Sequence, residues 1–199
     1  MPTKNLKIGI VYEGNKDLEV VRILISRILD KSGIEFSIIK DIKIGTGIIG
    51  FTKLYTRTLF QNGEVDIVIF LTDQDVPPKI DNRRGKIEEE IAKVNPGYLD
   101  FVVIGVPDPH LEKWLVADED ILKGIFRLKG DKEVPYSKMS PKSQIRALKE
   151  ELPLPQPSLF EVYISLANKL RLEVVQGICK DFARFQEDLI RVSKKVRNL

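Results

Sequence analysis

Apolar positions along the chain fall into two patterns. Short unbroken runs alternate with longer segments in which apolar residues recur every three or four positions. The strongest run is Ile67–Leu71, five apolar residues rich in β-branched types between Asp66 and Thr72. Such a run predicts a strand buried on both faces, central in a parallel sheet. Residues 7–12, 36–44 and 101–106 predict three more strands. The second is interrupted by Lys40, Asp41 and Lys43 and is expected to be less buried. Between them, Leu18, Val21, Leu24, Ile25, Ile28 and Leu29 lie at helical spacing, and Gly33 closes that helix. A second helix runs to about residue 60, where Asn62-Gly63 turns the chain. A third begins at Asp81 with Ile87, Ile91 and Val94 on one face, and Asn95-Pro96-Gly97 stops it. Pro107-Asp108-Pro109 leads into a fourth, carrying His110, Glu112, Trp114 and Leu115.

Strands that alternate with helices imply βαβ units, right-handed crossovers and a mostly parallel sheet flanked by helices. We assign residues 1–126 to this Rossmann-like α/β domain and 127–199 to a loop and helical extension packed on it. Ser140-Pro141 starts a short helix, and Pro153, Pro155 and Pro157 stiffen a connector. Ser158-x-x-Glu161 is a capping box at the head of a long helix that Gly177 is expected to break. Ile178, Phe182, Phe185, Leu189, Val192 and Val196 then form one apolar stripe. Trp114, Phe182 and Phe185 sit at core spacing and read as packing.

Composition narrows the class. The 199 residues are 43% hydrophobic and 31% charged, which fits a globular chain. No stretch approaches the ~20 apolar residues of a membrane span. The first residues lack the apolar region of a signal peptide. The single cysteine, Cys179, excludes an internal disulfide and a Cys-rich zinc site, so a reducing cytoplasm is expected. The formal charge is +3, and the last twenty residues carry six basic and three acidic side chains. A basic helix of this kind attracts nucleic acid or forms an ordinary solvated face.

Acidic residues cluster where strands end. Glu13 follows the first strand, Asp73 and Asp75 the third, and Glu112 stands on the helix after the fourth. In open α/β sheets, ligands bind outside the carboxyl ends of the strands. Two carboxylates one residue apart do not both ionise cheaply without a cation, and a hard divalent ion, Mg²⁺ or Mn²⁺, is the natural partner. Singly, each acid has an ordinary reading as a loop, turn or helix-start residue. Jointly they are candidates both as metal ligands and as the catalytic set of a phosphodiester-cleaving site.

These residues resemble a known family. Glu13-Gly14-x-x-Asp17, Asp73-x-Asp75 and Glu112-x-Trp114-Leu115, in that order, look like a Toprim domain. The similarity is greatest to small uncharacterised Toprim-like families related to the OLD and RloB nucleases. The resemblance implies an Mg²⁺-dependent nuclease, in phage defence or a mobile element, with Glu13 as ligand or acid/base. It implies Asp73 and Asp75 as Mg²⁺ ligands, and Glu112 completing a second metal site. Related nucleases usually carry Ser or Thr where this chain has Lys16, and an OLD-type catalytic lysine is not evident. A non-catalytic Toprim module, working with a partner protein from a neighbouring gene, is the alternative. Either is expected as a monomer or homodimer.

Phosphate contacts are expected from Arg83, Arg84, Lys86 and Lys16, with the basic C-terminal helix; the substrate is DNA or RNA. His110, the only histidine, is either a polar residue of the first helical turn or a general acid. Gly45-x-Gly47-x-x-Gly50 spells a dinucleotide-binding fingerprint, with Asp66 as its acid. Asp66, however, opens a strand where a ribose-binding acid ends one, so a flexible turn is favoured.

Overall fold

The structure is a computed structural model, and it describes residues 5–14, 17–45, 47–74, 82–128 and 134–198. Asp75 and Lys16, and the expected helix start at Asp81, lie outside these residues.

Among the described residues, four strands form one sheet: β1 (Leu6–Glu13), β2 (Phe36–Ile44), β3 (Ile67–Leu71) and β4 (Val102–Gly105). All pairings are parallel, and the order is β2-β1-β3-β4. Every residue of β3 is buried, as its unbroken apolar run requires. β2 is an edge strand, and its interrupted pattern matches its partial exposure.

Strand alternation splits the core between two faces. Ile8 and Ile10 of β1, Ile67, Ile69 and Leu71 of β3, and Val103 of β4 belong to one cluster. Val11, Val68, Phe70, Val102 and Ile104 belong to the other. The second face is covered by α2 (Ile48–Gln61) and α3 (Arg83–Ala92), through Ile48, Leu59, Ile87 and Ile91. The first is covered by α1 (Asp17–Lys31), whose Val20, Val21, Leu24, Ile25, Ile28 and Leu29 are all buried.

The C-terminal half completes that same face. It comprises α4 (Glu112–Val116), α5 (Glu119–Ile125), α6 (Pro141–Glu150), α7 (Leu159–Lys169), α8 (Leu172–Ile178) and α9 (Lys180–Arg197). The expected capping box at Ser158 and Glu161 forms in both directions. The long helix it heads ends at Lys169, and Gly177 lies within α8 instead of at a break. The break falls at Cys179, so the apolar stripe of α9 begins at Phe182, and Ile178 is 59% exposed. Phe182 and Phe185 grip Trp114, edge-on at 5.2 Å and stacked at 5.5 Å. Trp114 Nε1 donates to Asp181 Oδ2 at 2.6 Å, which satisfies the one polar atom of this buried ring. Among the described residues no helix is long and apolar enough to cross a membrane.

Candidate functional site

The strand order reverses between β1 and β3. From β1 the chain crosses outward to β2, and then returns past β1 to β3 and β4. At such a switch point the flanking crossovers lie on opposite faces and leave a crevice at the carboxyl ends of the strands. Tyr12 pairs with Leu71, so the next residues, Glu13 and Thr72, come level at the rim of that crevice.

Glu13 is held from three sides. Its Oε1 accepts the backbone N–H of Ile48 at 2.8 Å, in the first turn of α2. The residue before Ile48 is Gly47, in the left-handed region at φ 78°, where a side chain is disfavoured. Gly47 offers no side-chain cap, so a carboxylate from β1 satisfies a free donor at the positive end of the helix. Oε2 of Glu13 accepts the hydroxyl of Thr72, and Arg83 Nη1 lies 3.5 Å from the same oxygen. Arg83 also donates to Thr72 Oγ1 at 2.9 Å. Thr72 was not singled out by the sequence reading. Its one signal there is a hydroxyl directly after the apolar run, and at 1% exposure it is the buried hinge of the site.

Asp73 reaches the segment before α4. Its Oδ1 accepts the N–H of Leu111 at 3.1 Å, and its Oδ2 lies 3.3 Å from His110 Nδ1. His110 therefore stands beside Asp73, as its place in the sequence allowed, and both side chains are partly open to solvent.

Glu112 takes a different course. Four carboxylates were expected to converge, but Glu112 is 8% exposed and its Oε1 accepts the Tyr163 hydroxyl of α7 at 2.8 Å. The α4 helix begins at Glu112 itself, not near Asp108, and turns this side chain into the helical layer. Of the expected phosphate contacts, Arg83 stands at the site. Arg84 is committed elsewhere: it donates to Asp188 of α9 at 2.8 Å and to the Ile104 carbonyl of β4, an edge strand. Lys86 lies exposed on α3. The dinucleotide fingerprint is broken by topology. Asp66 opens β3 and accepts the Lys7 N–H at 2.9 Å, at the opposite end of the parallel sheet from Gly47.

Among the described residues no three His, Cys, Asp or Glu side chains are grouped to hold a metal ion. The two described carboxylates still offer the right chemistry. Mg²⁺ keeps several of its waters and commonly takes one or two protein carboxylates, all hard oxygen donors.

No protein-family model matches the chain, and no curated protein matches it. Among solved structures, it is similar to the C-terminal region of the Burkholderia pseudomallei OLD protein. That match has a TM-score of 0.48 and 11% identity, and covers 95% of this chain and 98% of the other.

Proposed function

We propose that this chain is a metal-dependent phosphodiesterase acting on nucleic acid. One observation carries the reading: Glu13 and Asp73 flank Thr72 at the carboxyl rim of β1 and β3, where the strand order reverses. The ordered likeness of the surrounding motifs to a Toprim domain supports the same conclusion. Glu13 and Asp73, with Asp75 beyond the described residues, would hold Mg²⁺. Bound there, the ion would activate water and stabilise charge developing on a phosphoryl group.

The protein's own groups have separable tasks. Thr72 and the Ile48 N–H orient Glu13. The Leu111 N–H orients Asp73. Arg83 brings a fixed positive charge to the rim, suited to a phosphate oxygen. His110, with Nδ1 3.3 Å from Asp73 Oδ2, stands where a general acid would act. Glu112 acts at one remove, as a positioning residue that ties α4 to Tyr163.

The second reading, a non-catalytic module, has its own support. Each carboxylate oxygen of Glu13 and Asp73 already faces a protein donor, which is what an acid retained for structure would do. Cleavage of labelled DNA and RNA in Mg²⁺ and Mn²⁺ separates the two. Cleavage that needs metal and vanishes in both Glu13→Ala and Asp73→Ala upholds the enzyme. Absence of cleavage, with a Mn²⁺-induced rise in melting temperature that Asp73→Ala removes, upholds the module. A protein that responds to neither ion has no metal site at this rim.

A further inference from the structure

The basic character of the C-terminal helix is not spread evenly in space. Towards its end, Arg191 pairs with Asp188 at 2.8 Å, Lys195 with Asp100 at 2.7 Å, and Arg197 donates to the Gly33 carbonyl at 3.0 Å, which leaves Lys194 as the exposed cation there without an ion pair among the described residues. At its start, Lys180 and Arg184 are exposed and have no ion pair among the described residues.

Those two residues stand one helical turn apart and line a cleft of about 500 Å³. The opposite wall is Asn82, Arg83 and Arg84 from the head of α3, and Gln74, which directly follows Asp73. Among the described residues one carboxylate, Asp181, also lines the space. Its Oδ2 accepts the Trp114 Nε1–H and the Asp108 N–H at 3.0 Å, and its charge offsets one of the four cations, Arg83, Arg84, Lys180 and Arg184, that line the cleft. Arg84 is matched by Asp188. Arg184 still lies close enough to make the Arg84 guanidinium easier to deprotonate, on top of the larger effect of burial. Like charges held together around a void are stabilised by an anion, and Arg83 belongs both to this void and to the carboxylate rim.

We infer that the cleft between the heads of α3 and α9 seats the phosphodiester backbone of nucleic acid, with Lys180 and Arg184 as its contacts. The inference rests on the nucleic-acid reading of the neighbouring rim, and it extends that reading to a surface that leads the strand to Asp73. Phosphate recognition of this kind fixes position without reading bases, so it predicts binding that depends on salt and little on sequence.

The test is fluorescence anisotropy of labelled single-stranded and duplex oligonucleotides in EDTA, where no metal-dependent cleavage occurs. Lys180→Gln with Arg184→Gln should weaken binding by ~10-fold or more at low salt. The slope of log Kd against log salt should become shallower by ~1.4 to 1.8, the loss of two phosphate contacts. Melting temperature should stay unchanged, since both side chains are exposed. Unchanged binding overturns the cleft. So does an equal loss on Lys195→Gln at the far end of the helix, which would mean diffuse attraction, and so does a wild type that binds neither oligonucleotide. Asp73→Ala should keep binding in EDTA and lose cleavage in Mg²⁺. A wild type that binds through Lys180 and Arg184 but never cleaves would therefore sustain the cleft and remove the phosphodiesterase.

Discussion

The hydroxyl of Thr72 donates to Oε2 of Glu13, and so joins the ends of two neighbouring strands at the rim where the sheet order reverses. Thr72 Oγ1 in turn accepts from Arg83 Nη1 at 2.9 Å. Thr72→Val keeps the side-chain shape and removes both bonds. It should cost ~1–3 kcal/mol, because a partly buried carboxylate oxygen and a guanidinium lose a partner together. Thr72→Ser should recover most of that loss. Urea unfolding of the three proteins measures it, and equal midpoints would show that the hydroxyl is not part of the scaffold.

Glu112 and Tyr163 give a sharper separation of roles. If Glu112 positions α4, then Tyr163→Phe should destabilise by ~1–3 kcal/mol, since it leaves a buried acceptor without its donor. Glu112→Gln retains an acceptor and should be milder. Neither change should remove the Mn²⁺-induced rise in melting temperature. A loss of that rise in Glu112→Gln, at unchanged stability, would place this carboxylate among the metal ligands after all.

These two pairs mark where the sequence is readable and where it stops. Ile67–Leu71 announces a central parallel strand because five consecutive apolar side chains need burial on both faces, and the structure gives every one of them that burial. Glu13 and Asp73 can be placed at the strand ends for the same reason, as the first carboxylates after such runs. Thr72 is illegible, because a hydroxyl acquires its meaning from a carboxylate 59 residues away. The course of Glu112 is illegible too, because its partner lies on α7 and only the docking of that helix turns the side chain inward. The pairing of Arg84 is illegible likewise. Nothing local says that Asp188 and an edge carbonyl of β4 will claim it.

Stability should fall on both sides of neutrality, from identifiable groups. Burial pushes the Asp118 carboxyl up, but hydrogen bonds from the Arg171 side chain and backbone and from the Ile121 N–H outweigh it, and it ends below its ordinary value. Asp188 is lowered in the same way, with Arg191 and Arg84 overcoming burial. A depressed carboxylate contributes stability above its unfolded value, about 3.9, that is lost as pH falls through the folded value. Burial, helped by Asp181, raises the Cys179 thiol to about 11. Its contribution is complete below the ordinary thiol value of about 8.5 and is lost as pH rises beyond it. Urea midpoints should therefore drop below about pH 4 and above about pH 9. Asp118→Asn should flatten the acid limb, and Cys179→Ala the alkaline one. Asp118 also caps α5, so Asp118→Ala should cost at least ~1 kcal/mol at neutral pH.

The last prediction concerns how tightly α9 seats on the sheet. Gly105 ends β4, and a Cβ built there would lie 2.8 Å from Leu71 Cδ1 and 3.1 Å from Phe185 Cδ2. Leu71 ends β3 one residue before Thr72, and Phe185 stacks on Trp114. Neither neighbour has open space to retreat into, since both are buried. Gly105→Ala should thus destabilise by ~1–3 kcal/mol through overpacking, not through backbone strain. Pairing it with Phe185→Leu tests that cause. Phe185→Leu alone should destabilise by opening space against Trp114. The double variant should lose less than the two changes summed, because the methyl fills part of what the ring leaves. Strict additivity in urea unfolding would refute the packing account. It would leave β4 with some other need for glycine, and α9 less closely fitted to the rim that Thr72 and Asp73 occupy.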